Sequence, residues 1–370
     1  MAGLPRHNVA IMLVPLELAP MQTPHPRFRR AQGQVARRAV ALIALLLAAG
    51  LPASLAASYR VARTIDVGGD GGWDYLSVDA ATHRLYAAHA THLVVIDTRS
   101  DRVVGRIDDT PGVHGIAIDA AQGRGFSSNG RENTIGVVDL KTLHVTNRIP
   151  AGRNPDCIQF SPATNEVYAF NGHSNSATVV DATTGKVVTT MPLPGRPEFA
   201  VPDPVSPDLY LNLEDKSEVA RIDGRDHRVV SVWPLAPGEH PSGLAFDAVH
   251  RRLFSGCENA QVEVLDADTG RLVATIPAGR GIDAVGFDPG TGLVFASNGR
   301  DGTLTIAHED SPDRYTVVQT LKTELGARTL AVDTDSHKVY LATASFRGGK
   351  PGWRNIEPGT FHILVAELSP

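Results

Sequence analysis

Two cysteines, Cys157 and Cys257, are the whole thiol complement of this 370-residue chain. A disulfide scaffold, a structural zinc module and a C-x-x-C-H haem site all need more cysteines, or closer ones, so none of these is open to it. Helical periodicity is missing over any useful length, which removes bundles and helical solenoids. The longest apolar run, Ala39 to Leu51, has 13 residues, well short of the roughly 20 that cross a bilayer as a helix. Neither G-x-S-x-G nor H-E-x-x-H occurs, and neither cysteine sits in a Cys-His motif, so no nucleophile elbow or zincin helix is written locally. Basic residues are outnumbered, 35 Lys and Arg against 40 Asp and Glu. A nucleic-acid partner is therefore not expected, because phosphate binding needs a basic footprint.

What the chain does have is a repeat. Apolar run, Asp or Ser, reverse turn, then an aromatic seven residues after the acid recur as Asp79/Tyr86, Asp119/Phe126, Ser161/Tyr168, Asp203/Tyr210, Asp247/Phe254, Asp288/Phe295 and Asp333/Tyr340. Successive anchors lie 40, 42, 42, 44, 41 and 45 residues apart, the period of a four-stranded propeller blade. The expected fold is all-β, a seven-bladed β-propeller of four-stranded antiparallel blades. Third strands should end at Asp97, Asp139, Asp181, Asp223 and Asp266, with fourth strands such as Val103 to Ile107. The seventh repeat runs out after a third strand at Phe361 to Leu368. Tyr59 to Val67 has the fourth-strand pattern and precedes the first inner strand, so it is expected to close the ring and remove the open sheet edges. Cys157 and Cys257 fall in non-adjacent blades, beyond the roughly 7 Å that a disulfide tolerates, and are expected free and packed.

The first 56 residues stand apart. Arg27, Arg29, Arg30, Arg37 and Arg38 precede the apolar run, and Ser54, Ala56 and Ala57 follow it. This is the layout of a secretory signal peptide, cleaved after Ala56 or Ala57. Met1 to Pro26 adds a poorly ordered extension, and either Met1 or Met21 is the start. Ordinary apolar residues after Arg37-Arg38 favour plain Sec export over the twin-arginine route. The organisation expected is a leader over 1–56 and one propeller over 57–370, periplasmic or secreted, monomeric and without a lasting membrane anchor. Removing 1–56 takes away six Arg and one Glu and leaves 29 basic against 39 acidic residues, a formal charge near −10.

Several repeats carry more than a period. "HRLYAAHATHLVVIDTRSDRVVGRI", "NEVYAFNGHSNSATVVDATTGKVVTTM" and "HKVYLATA" show an aromatic strand, an Asn-rich turn, a V-x-V-I-D segment and a T-G-K turn. In these features residues 59 to 370 resemble the YVTN, or YncE-type, β-propellers of exported bacterial proteins. The resemblance implies the fold and export; propellers of this kind serve as binding platforms, enzyme subunits and proteins of other roles.

Chemistry is expected at one mouth of the axial channel, where first strands begin and second strands end. Five residues before each anchor stand Asp74, His114, Asp156, Glu198, Ser242, Asp283 and Arg328, all polar in otherwise apolar surroundings. Ten residues after it stand His89, Asn129, Asn171, Leu213, Cys257, Asn298 and Thr343, and His240 lies in a loop on the same side. The Asn-Gly pairs at 129/130, 171/172 and 298/299 read as turns that use positive φ. His114, between Asp74 and Asp156, and His240 are the candidates for proton transfer. Asp74, Asp156, Glu198 and Asp283 are the candidate ligands of a divalent cation, calcium or magnesium; zinc would need His114, His240 or His89 to converge. The loop Ser345 to Thr360 brings Phe346, Trp353, Arg347, Lys350 and Arg354 beside this mouth, and long loops in compact domains often bind or cover ligands. Trp73 reads as a packing residue.

Three functions fit these features. The leading one is an exported binding or scaffold propeller holding a small polar ligand or a protein partner. The second is a metal-assisted hydrolase or lyase of lactonase-like type, with His114 or His240 as base. The third is a non-catalytic subunit of a quinoprotein or cytochrome system, whose redox centre would be borrowed.

Overall fold

The computed structural model describes residues 58–369, and the expected leader over 1–56 lies outside them. Seven four-stranded antiparallel sheets form the seven blades. Blade 1 is typical: an inner strand Trp73–Asp79, then Arg84–His89, His92–Asp97 and an outer strand Arg102–Ile107. The third strands end at Asp97, Asp139, Asp181, Asp223 and Asp266 as the turn chemistry demands.

Each anchor acid closes its reverse turn by accepting from backbone or hydroxyl donors two or three residues on. Asp119 accepts from the Gln122 amide at 3.2 Å and Asp288 from the Gly290 amide at 2.9 Å, an Asx-type turn. The aromatic that follows is driven into the space between blades. Tyr86, Phe126, Tyr168, Tyr210, Phe254, Phe295 and Tyr340 are all fully buried, each contributing roughly 2–3 kcal/mol of apolar burial. Cys157 and Cys257 are free and buried.

The ring closes through its N-terminal strand. Tyr59–Asp66 pairs antiparallel with His362–Leu368, from Tyr59 opposite Leu368 to Asp66 opposite His362, and supplies the fourth strand of the seventh blade. The phenol of Tyr59 donates to the His337 carbonyl at 2.7 Å, and its ring meets Phe295 edge-on at 5.1 Å. The closing strand is thereby tied to the sixth and seventh repeats.

Two features of the inner strands position the site. In six blades the pairing of first and second strands slips next to the mouth residue: between Trp73 and Leu76, Val113 and Ile116, Pro155 and Ile158, Pro197 and Ala200, Pro241 and Leu244, and Ile282 and Ala284. Bulges of this kind bend a strand and re-aim its side chains, and here they surround Asp74, His114, Asp156, Glu198, Ser242 and Asp283. One residue further in, Tyr75 of blade 1 reaches across the axis to Phe199 of blade 4, with ring centroids 5.0 Å apart. Gly115, Gly243 and Ala284 occupy the same repeat position, and a Cβ on Gly115 would stand 3.3 Å from the Tyr75 ring. The channel is plugged beneath the mouth.

Candidate functional site

The polar ring resolves into two networks. In the first, His114 Nδ1 lies 2.6 Å from Asp74 Oδ2 and 3.4 Å from Asp156 Oδ1, while its Nε2 faces Asn154 Oδ1 at 3.4 Å. Burial works against the charged imidazolium, but the hydrogen bond to Asp74 and the charges of Asp156 and Asp74 outweigh it, and the group is pushed up to about 9. Asp156 is moved the other way from most carboxylates. Burial and the nearby Asp74 and Asp283 push it up to about 7 against the pull of His114.

In the second network, the Arg328 guanidinium pairs with Asp283 through Nη1 and donates from Nη2 to the Trp73 carbonyl at 2.8 Å. Ser242 Oγ donates to Asp283 Oδ1 at 2.8 Å and lies 3.4 Å from Glu198 Oε1. Glu198 has no cationic partner among the described residues, and burial, followed by the charges of Asp156 and Asp283, lifts it well above the usual carboxylate range. Four ring carboxylates therefore face two cations, His114 and Arg328. Like charges crowded in a site of low dielectric are costly unless a proton, an ion or a ligand offsets them.

Other expectations resolve differently. His89 does not face the mouth: it is fully buried, stacked on Phe361 at 4.2 Å between ring centroids, and neither ring nitrogen has a hydrogen-bond partner among the described residues. Burial and the neighbouring His92 push it down to about 4, so it is neutral near pH 7. The three histidines thus do not converge as zinc ligands would. His240 is exposed at the rim and lines a cavity of about 290 Å³ with Glu198, Ser242, Asp283 and Arg328. Asn129, Asn171 and Asn298 are buried strand residues rather than turn residues; Asn298 Nδ2, for example, donates to the Thr303 and Thr305 hydroxyls at 3.0 and 2.8 Å. The glycines after them do not use positive φ, and Gly130 and Gly299 serve close approach. A Cβ on Gly130 would lie 2.6 Å from His114 Nε2, and one on Gly299 would lie 2.5 Å from Arg328 Cβ.

Sequence reasoning missed Asn154, which reaches His114 from the neighbouring blade; its position two residues before Asp156 was the available signal. The loop 345–360 is held by a bridge between Phe346 and Ile356 and by the Glu357 amide donating to the Ser345 carbonyl at 2.9 Å. Its Trp353 lies 4.8 Å from the Arg328 guanidinium and 6.3 Å from the Trp73 ring, yet remains 62% exposed. Trp73 is buried, as a packing residue should be.

No family model matches the chain, and no curated protein does. Among solved structures it is similar to U3-55K, with a TM-score of 0.70 and 12% identity over 82% of this chain and 97% of that one. It is similar to the WD40 repeats of RRP9, with a TM-score of 0.71 at 12% identity over 82% and 97% of the two chains. A chain of Kuenenia stuttgartiensis hydrazine synthase matches with a TM-score of 0.65 and 17% identity, over 75% of this chain and 94% of that one. These likenesses place the chain among the β-propellers. They carry fold alone.

Proposed function

We propose that this is an exported binding propeller that holds a small polar ligand or a segment of a partner protein at the polar mouth. The observation that carries the reading is the set of six bulged inner strands that present Asp74, His114, Asp156, Glu198, Ser242 and Asp283 around one plugged opening. The plug of Tyr75 and Phe199 makes the opening a cup, and four carboxylates against two cations leave it two unit charges short of neutrality, the charge of two protons or one divalent cation. YVTN kinship and export rest on the repeats and the leader and belong to this reading.

The test pairs binding with stability. Amino acids, sugars, calcium, magnesium and manganese are screened against the mature chain by thermal shift and calorimetry, and then against Asp156→Asn and Arg328→Ala. A probe that stabilises the wild type and not the variants supports the cup. Variants that only lower Tm, with no probe binding the wild type, would leave the ring as charge-balanced scaffolding.

One observation favours the metal-assisted enzyme as a second reading. The ligating atoms of Asp74, His114 and Asp156 all lie within 4.8 Å of one another, and one imidazole with two carboxylates leaves positions for water on a divalent ion. Metal measured by mass spectrometry in protein purified without chelators separates the readings: a stoichiometric ion lost in His114→Gln supports the enzyme, and none returns the site to plain binding.

A further inference from the structure

Arg328 and Trp353 divide the mouth into two unlike halves. On one side lies the cavity of about 290 Å³ with Glu198, Glu214, Glu258 and Asp283. On the other lies a cavity of about 340 Å³ lined by Trp353, Asp74, His114, Asn154 and Arg131. We propose that this second cavity is a saccharide subsite, with Trp353 as the stacking platform. The proposal rests on the reading of the mouth as a ligand cup and names the ligand class.

The first argument is the state of Trp353. An indole left 62% exposed forgoes most of the roughly 25 cal/mol per Å² that burying it would return. It is nevertheless held in place. A Cβ on Gly72 would fall 1.7 Å from the ring, so the indole rests directly on the Gly72 backbone, while the Arg328 guanidinium fixes another side at 4.8 Å. A ring braced by Gly72 and overlain by Arg328, yet still largely exposed, presents its remaining apolar surface at the cavity wall.

The second argument is the polar set beneath it. Asp74 Oδ2 is taken by His114, but Oδ1 makes no hydrogen bond among the described residues, and neither does the Arg131 guanidinium. Asn154 offers an amide whose Oδ1 only touches His114 at 3.4 Å. Acceptor, amide and fork-shaped donor thus line the same cavity. The charge of Asp74 is met by His114, whereas Glu198 in the other half has no cationic partner among the described residues. Gly71, Gly72 and Gly112 line the cavity and let Ala90, Trp353 and Arg131 pack closely against the backbone.

A braced indole lining one cavity with planar hydrogen-bonding groups matches a pyranose ring, which has one apolar C–H face and hydroxyls around its edge. The volume lies in the lower part of the roughly 300–1,000 Å³ typical of small-molecule sites, room for one or two sugar rings.

The experiment uses the mature chain with glucose, galactose, N-acetylglucosamine, maltose and cellobiose, and adenine as a planar aromatic control. Binding is read by tryptophan fluorescence and saturation-transfer NMR. At least one saccharide is expected to bind with Kd near the millimolar range, about −4 kcal/mol. Trp353→Ala should weaken it at least tenfold, Trp353→Phe less, and Asn154→Gly, which tolerates the positive φ of 53° at that residue, should weaken it with little change in the thermal unfolding of the protein. No binding by any sugar, binding that survives Trp353→Ala unchanged, or a preference for adenine would each overturn the proposal. If the sugars fail while a divalent cation or an amino acid binds in an Asp156-dependent way, the cup stands and the saccharide assignment falls. If every probe fails, both fall.

Discussion

The pH dependence of stability provides a quantitative check on the mouth. Folded His114 holds its proton up to about 9, against 6.5 for a free imidazole. The folded state therefore binds more protons than the unfolded state across this interval. The stabilisation is fully present below pH 6.5 and is lost as pH rises through 9; at about 1.4 kcal/mol per pH unit the loss reaches about 3 kcal/mol. Asp156 acts in the same direction at lower pH. Its folded value of about 7 lies above the ordinary 3.8, so stability falls again between those values as the unfolded carboxylate ionises first. For the 312 residues described, an unfolding entropy near 2.1 cal/mol/K per residue converts 3 kcal/mol into a Tm drop of about 5 °C between pH 6.5 and 9. The assay is calorimetry at half-unit pH steps, on the wild type and on His114→Gln/Asp156→Asn. The double variant removes both proton-holding groups, so its Tm should stay nearly flat above pH 6.5. A wild-type Tm that is constant or rising over that range, or a double variant that keeps the full slope, would refute the reasoning. An imidazole resonance of His114 titrating near 6.5 would do the same.

Three further outcomes are expected. His89, buried and held neutral down to about 4, stays unprotonated while the unfolded chain's imidazole takes up its proton as pH falls from 6.5 toward 4, so stability falls there; His89→Phe should raise Tm at pH 5 by more than at pH 8, and an equal gain at both would show that burial of the neutral ring is not the cause. A chain beginning at Gly68 loses the closing strand with buried Tyr59 and Ile65, about 4–6 kcal/mol of apolar burial, and should unfold at lower denaturant; an unchanged midpoint would show that closure adds nothing. Expressed with its leader, the protein should be recovered outside the cytoplasm with a mass that starts at Ala57 or Ser58, whereas an intact apolar segment in the membrane fraction would mean an anchor.

Much of the fold was readable in the chain because a blade is specified locally. The anchor acid needs its turn amides and the aromatic seven residues later needs the gap between blades, so both recur at fixed spacing. Asp97, Asp139, Asp181, Asp223 and Asp266 end strands for the same local reason. The site was readable only as a row of polar positions. Which of them meet depends on blade-to-blade packing, and that is not periodic. Asn154 reaches His114 from the next blade, Tyr75 and Phe199 meet across the axis, and Gly130 is there to admit an imidazole. His89 was misplaced because counting along a strand gives its end but not what covers it; here Phe361 lies flat on the ring.

The contrast between anchors and mouth is what separates scaffold from site. The seven anchor positions are nearly identical, and all six of their acids, Asp79, Asp119, Asp203, Asp247, Asp288 and Asp333, accept from donors within three residues. The mouth positions share only polarity. The seven blades supply five residue types there, with Asp in three of them, the groups are paired across blades, and an excess of carboxylate remains after pairing. A ring kept for stability would converge on the solution the anchors use, one residue type with one local partner, because that contributes without long-range cost. A ring whose members differ from blade to blade, braced by glycines that only close approach explains and walled by a tryptophan held open to solvent, follows the asymmetry of something placed inside it. Stability therefore belongs to the period of this chain, and function to its departures from that period.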